Sequence, residues 1–252
     1  MSTVNYNCTA LHGSNKVGKL SPDAGGYYPM ILGAFDVDNS AGEHYPFTQA
    51  KELFKASSSF MRRVANGQCR AELGHPKKLP GMSNQEYLQR ILTIEETQVC
   101  AHFKSITIDT ESVTDEYGKR IVAVMGMVKP SGPFKNVLQE SLDNPDENVA
   151  FSIRSLTNNV IQGGKRHKHV KTVVGYDYVN EPGIQYANKF GSPALESYSE
   201  GGIFIPETLE ALEHDNSRTP GSLENSGIDI RQLRSDLGWS KVIVTNPASL
   251  RW

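Results

Sequence analysis

Two pairs of β-rich segments and two amphipathic stretches predict an α+β fold. Val99 to Asp109 and Arg120 to Val128 are rich in β-formers, and the Asp115-to-Lys119 turn between them predicts a hairpin. Asn148 to Leu156 and His169 to Val179 form a second such pair, with a turn at Gln162-Gly163-Gly164. Leu53, Phe54, Phe60, Met61 and Val64 recur at near-helical spacing within Thr48 to Ala65, although the run Ser57-Ser58-Ser59 weakens its middle.

The remaining elements follow in chain order. Tyr27 to Val37 alternates loosely and predicts a strand, and Asp38 to Gly42 is a turn cluster. Pro133 opens a helix, because its missing N–H costs nothing at the first helical position. Phe134, Val137, Leu138 and Leu142 form its apolar face, and Asn144-Pro145 stops it. From Gly191 to Gly227 the chain turns to Gly, Ser, Pro, Glu and Asn. A boundary near residue 190 is therefore expected between a core (1–190) and a mobile or docking tail (191–252). Short helical patterns at Pro206–Leu212 and Ile228–Leu237 punctuate that tail.

The 252 residues suffice for one large domain, or one domain plus a sizeable appendage, and nothing in the formal charge of −2 argues for nucleic acid, a membrane surface or a polyanionic partner. No apolar run approaches the roughly 20 residues of a membrane span, and Met1 to Lys19 lacks the apolar region of a secretory signal. Cys8, Cys69 and Cys100 are odd in number and scattered, which suits reduced thiols in a cytosolic compartment.

Three short motifs carry the chemistry. Ala71-Glu72-Leu73-Gly74-His75-Pro76, Ala150-Phe151-Ser152-Ile153-Arg154-Ser155 and Val174-Gly175-Tyr176-Asp177-Tyr178-Val179 each set a reactive side chain in an apolar or Gly/Pro-punctuated segment. A serine hydroxyl needs a base within reach, and the base needs an orienting partner. His75, Ser152 and Asp177 are the parts of such a triad, in an order that no single fold requires. GxSxG is absent, which disfavours an α/β-hydrolase elbow. Arg154 shares the face of Ser152 and could support an oxyanion or pair with Asp177. Each residue also has an ordinary reading: a solvent-facing strand serine, a loop histidine among seven, and a carboxylate paired with Lys171 or Arg154.

In this order the motifs resemble the prohead proteases of tailed bacteriophages, capsid-maturation serine proteases that share a fold with the herpesvirus assemblins. The similarity runs from Ile31-Leu32-Gly33-Ala34-Phe35 through Glu72-x-x-His75-Pro76 and Ser152-x-Arg154 to Gly175-x-Asp177-x-Val179, over roughly residues 27 to 190. It implies a mostly antiparallel β core, closed or half-closed like a barrel, with helices around it. It implies His75 as general base, scaffold, core and capsid-protein propeptides as substrates, and cleavage after glutamate. The site of action would be the assembling prohead in the host cytoplasm, with no cofactor. Ser155 stands where the family usually has glycine, and Ile153 where a smaller residue is commoner. Assemblins use a second histidine as third member, so His169 competes with Asp177. Ala194-Leu195-Glu196, Ala211-Leu212-Glu213 and Ser222-Leu223-Glu224 fit the family's cleavage pattern and mark Glu196, Glu213 and Glu224 as self-cleavage candidates.

Lys165-Arg166-His167-Lys168-His169-Val170-Lys171 is a dense basic run. It reads as a solvated hairpin or, in a non-enzymatic head or scaffold-associated protein, as a docking surface. His167 and His169 lack further ligands at zinc spacing. A homo-oligomer is compatible with the sequence.

Overall fold

The computed structural model of the protein describes residues 3–9, 20, 22–111, 113–115, 117–184, 186–187, 189, 199–218 and 229–239. In chain order the elements are β1 (Val4–Thr9), β2 (Tyr28–Phe35), β3 (Val37–Asp38), β4 (His44–Tyr45), α1 (Phe47–Ala50), α2 (Ser59–Ala65), β5 (Arg70–Glu72), α3 (Asn84–Leu92), β6 (Val99–Asp109), β7 (Val122–Pro130), α4 (Lys135–Asp143), β8 (Ala150–Gln162), β9 (Lys165–Val179), β10 (Ser199–Phe204), α5 (Pro206–Arg218) and α6 (Ile230–Asp236).

The strands form two sheets, ordered β10-β1-β8-β9-β4-β3 and β2-β7-β6-β5. All pairings are antiparallel except β4 with β9. Leu73, just past β5, bridges to Tyr178 on β9, and Gly74 N–H donates to Tyr178 O at 2.7 Å. This splice joins the sheets into a curled, half-closed α+β core, as expected. An apolar cluster in its interior includes Leu32, Phe60, Phe103, Phe151 and Tyr176.

Both predicted hairpins form. β8 and β9 turn on Gly163 and Gly164, whose φ values of 58° and 76° suit the two-residue primed turn. The expected helix over Thr48 to Ala65 is broken instead. α1 runs into a 3-10 turn at Lys51–Phe54, and α2 restarts after Ser58, whose hydroxyl accepts from Met61 N–H at 3.1 Å. Serine prefers to cap rather than sit inside a helix, so the serine run is where the chain restarts.

The boundary expected near 190 falls among residues outside the description. On its near side, Lys189 Nζ donates to the carbonyls of Ser141, Leu142, Asn144 and Glu147 and so closes the C-terminal end of α4. Beyond it, β10 pairs with β1, and Phe204, Leu209, Leu212, Leu233 and Trp239 share one apolar cluster with Tyr87, Leu88 and Ile91. Among the described residues no helix is long and apolar enough to cross a membrane. Cys69 and Cys100 are buried free thiols, and burial pushes Cys69 up to about 12.

Candidate active site

The two strand motifs are register partners. Ser152 lies opposite Asp177 across the β8–β9 ladder, and Arg154 lies opposite Gly175. Direct partners in an antiparallel pair project to the same face. Ser152, Arg154 and Asp177 therefore share one side of the sheet. Beyond Arg154 the ladder slips twice, leaving Val174 and Lys171 as extra residues on β9. Buried Arg63 pins the first slip by donating to Val174 O at 2.7 Å and Val173 O at 3.2 Å.

His75 reaches Asp177 from the other sheet. β5 ends at Glu72, Leu73 crosses to β9, and Gly74 takes φ +77°. That left-handed turn is open to glycine at no steric cost and swings His75 over β9. Pro76 restricts the histidine backbone further, and Tyr87 on α3 holds Pro76 O at 3.4 Å. The outcome is a contact of 2.9 Å between His75 Nδ1 and Asp177 Oδ2.

Asp177 is fully buried, and its carboxylate is saturated. Arg154 Nε donates to Oδ2 and Arg154 Nη2 to Oδ1, each at 2.7 Å, and Glu72 N–H donates to Oδ1 at 3.2 Å. Burial alone would raise its pKa. The Arg154 guanidinium and His75 outweigh burial and hold the carboxyl down at about 2. An ionised carboxylate only accepts, so His75 carries its proton on Nδ1 and presents Nε2 as the basic nitrogen.

Arg154 is 0% exposed and shares its guanidinium between two acids. Nη1 donates to Glu72 Oε1 at 3.2 Å and to Thr93 O at 3.0 Å, and Nη2 stands 3.2 Å from Glu72 Oε2. Glu72 in turn accepts from Arg90 at 3.0 and 2.5 Å and from Glu95 N–H at 2.7 Å. A chain of alternating charge, buried from Glu72 inward, thus runs Arg90, Glu72, Arg154, Asp177 and ends on His75. Of the two roles expected for Arg154, its contacts are those of the Asp177 pair; its nitrogens donate to Asp177, Glu72 and the carbonyls of Ile91 and Thr93.

No sequence motif marks Arg90 or the role of Glu72. Arg90 sits on α3, which has a legible start: Ser83 and Glu86 form a capping box. Glu72 was in view as part of the His75 motif, but its partners are remote in sequence.

The other candidates lie elsewhere. His169 sits within 6.5 Å of the His167 ring, away from His75, and burial, Lys171 and His167 lower its pKa. Of the two competing residues, Asp177 is the one in contact with His75. His102 contacts Tyr27 Oη and Gly67 O, and His44 contacts Asp38. Among the described residues no cluster of His, Cys, Asp or Glu could hold a metal. The basic run lies on the β8–β9 hairpin, with Arg166 exposed and Lys168 buried. Lys168 is buried against Glu43 and lies over the Tyr45 ring, Arg166 also reaches Glu43, and Lys165 pairs with Asp38. The β3–β4 hairpin thus sets two carboxylates, Asp38 and Glu43, against three of its basic side chains. Glu213 lies on α5 and pairs with Arg234 at 2.5 Å, whereas Glu196 and Glu224 lie outside the described residues.

The chain is 39% identical over 237 residues to the capsid maturation protease of Pseudomonas phage phiKZ, an alignment covering 91% of this chain and 86% of the relative. Among solved structures it is similar to the bacteriophage T4 capsid assembly protease at 15% identity and a TM-score of 0.45, over 69% of this chain and 98% of that one. The model of the Peptidase S80 family matches residues 6–234, so the chain belongs to the Peptidase S80 family and is a serine protease.

Proposed function

We propose that this chain is an endopeptidase that matures phage heads, with Ser152 as nucleophile, His75 as its base and Asp177 as the group that orients the base. One observation carries the assignment: Asp177 faces Ser152 across the ladder while bonding His75 Nδ1 at 2.9 Å. The substrates are capsid, scaffold and core proteins inside the assembling prohead in the host cytoplasm. The relative from phage phiKZ, a capsid maturation protease, supports that choice. Cleavage after glutamate follows from the family resemblance.

The chemistry then runs as in other triads. His75 Nε2 takes the Ser152 proton as Oγ attacks the scissile carbonyl. The imidazolium that forms is stabilised by ionised Asp177 and then protonates the leaving amine. Water, activated by the same histidine, releases the acyl group. Arg154 acts through Asp177 as a positioning residue, because it holds the carboxylate ionised and in one orientation. The steps balance without a metal or organic cofactor, so a chelator should leave activity unchanged.

A fluorophosphonate probe tests the assignment. It should label the wild-type protein on Ser152 and leave folded Ser152→Ala protein unlabelled. Labelling that persists in Ser152→Ala would place the nucleophile elsewhere. The alternative, a non-enzymatic protein docking through residues 165–171, is weakened because Lys165, Arg166 and Lys168 are already paired with Asp38 and Glu43.

A further inference from the structure

Glu72 meets the triad twice. Its backbone N–H donates to Asp177 Oδ1 at 3.2 Å, and Nη1 and Nη2 of Arg154 each stand 3.2 Å from one of its carboxylate oxygens. Glu72 ends β5, and His75 follows in the turn just beyond it. The Glu72 carboxylate is buried, and on its far side Arg90 donates to both oxygens. The Arg90 side chain is 23% exposed and also pairs with Glu95 at 3.1 Å. The chain of charges therefore opens to solvent at Arg90 and closes on the proposed base.

Arg90, Glu72, Arg154 and Asp177 balance to zero before His75 takes a proton. Away from water, each of these charges is felt further than it would be in solution. Arg154 sits between two carboxylates and cannot serve both fully. What Glu72 draws from Arg154, Asp177 keeps free for His75. Loss of the Glu72 charge commits Arg154 to Asp177 and leaves a net positive charge behind His75. Both effects disfavour the imidazolium. Loss of the Arg90 charge does the reverse on both counts, more weakly, because Arg90 is one link further away and partly in water.

The other ionisable groups around this chain hold one state. Cys69 and Cys100 neighbour Asp177, and burial raises both thiols, which keeps them neutral. Arg63 neighbours Arg154 and is held on the Val173 and Val174 carbonyls. Lys77 and Lys78, just past His75, are exposed, and Lys78 turns to Asn84 at 2.7 Å.

We propose that Glu72 is a positioning residue of the triad, and that Glu72 and Arg90 together set how tightly His75 holds its proton, acting through Arg154 and Asp177. Glu72 keeps the histidine basic enough to take the Ser152 proton, and Arg90 tempers that effect. The consequence for rate rests on His75 being the base of the proposed mechanism.

The test turns on opposite signs. Full-length protein carrying isotope-labelled histidine is titrated by NMR, and the ring signal missing from His75→Gln protein is that of His75. Its midpoint should fall by about one pH unit in Glu72→Gln, the order expected of one charge removed inside a protein, and rise by roughly a third as much in Arg90→Gln. The acid limb of kcat/KM, which reports the base of the free enzyme, should move with the midpoint in each variant while KM stays close to wild type. A midpoint that moves the same way in both variants, or in neither, would overturn the proposal. If Glu72→Gln does not fold, Arg90→Gln decides alone: a midpoint that stays in place or falls overturns the proposal, and one that rises supports it. A midpoint that moves as expected while the acid limb stays fixed would uphold the coupling to His75 and remove His75 as the base, so the two readings fail separately.

Discussion

Asp177 Oδ2 accepts two hydrogen bonds at once, from His75 Nδ1 at 2.9 Å and from Arg154 Nε at 2.7 Å. One oxygen is therefore shared between the proposed base and a buried guanidinium. The arrangement couples catalysis to stability. The carboxylate that orients His75 is also the counter-ion of an arginine with no access to water.

Asp177→Asn should consequently fail in two ways. Its rate should fall on the order of 10⁴, as when the triad acid loses its charge and the histidine tautomer is wrong. It should also lose about 3 kcal/mol of stability, because Arg154 is left buried with only Glu72 to balance it. Urea denaturation beside peptide cleavage measures both. A variant as stable as wild type would mean that Arg154 does not depend on Asp177.

Ser152→Ala and His75→Ala should behave differently. Neither residue is part of the Arg154 ion pairs, so each variant should stay folded and lose cleavage. Members of one catalytic unit are strongly non-additive, so the double variant should be about as inactive as either single one. Cleavage by folded His75→Ala at a substantial fraction of the wild-type rate would remove His75 from the mechanism.

Acid should loosen this protein through Asp177. Its folded value of about 2 lies below the ordinary 3.8, so folding favours the ionised form. The sign follows from linkage: the contribution is complete above about pH 4 and is lost as pH falls towards 2. Melting temperature measured from pH 5 to pH 2 should drop for the wild type, and more gently for Asp177→Asn. Parallel curves for the two proteins would show that other carboxylates dominate the acid limit.

Much of this site was legible because each motif sets a polar residue where the local pattern calls for an apolar one. Ser152 and Asp177 stand out within Phe151-Ser152-Ile153 and Val173 to Val179 for that reason. Their register was not legible, since the slips at Val174 and Lys171 defeat simple alternation. Glu72 and Arg90 were missed as partners because a buried ion pair joins segments whose proximity no local pattern encodes. β1 was missed for a related reason: Val4–Thr9 is largely polar and becomes a strand by pairing with β10, nearly two hundred residues later. The broken helix between Thr48 and Ala65 could have been read from its own serines.

Self-processing, if it follows the pattern of the family, should avoid Glu213 and use Glu196 or Glu224. A protease binds its substrate extended, and Glu213 is held in α5 with its carboxylate on Arg234. Cutting there requires unwinding a helix whose Leu209 and Leu212 are buried against α3. Glu224 follows Pro220-Gly221, in the connection between α5 and α6, where the composition disfavours helix. A cut at Glu224 would leave the piece bearing α6 bound to the rest, because Leu233, Leu237 and Trp239 lie in the same apolar cluster as Tyr87 and Ile91. Two mass measurements decide the matter. Denaturing mass spectrometry of active protein should report fragments ending at Glu196 or Glu224, absent from Ser152→Ala protein. For a single cut at Glu224, native mass spectrometry should still report the uncut mass plus one water, with both pieces held together. A fragment ending at Glu213, or prompt release of the α6 piece, would mean that this packing is too weak to hold the C-terminal segment in place.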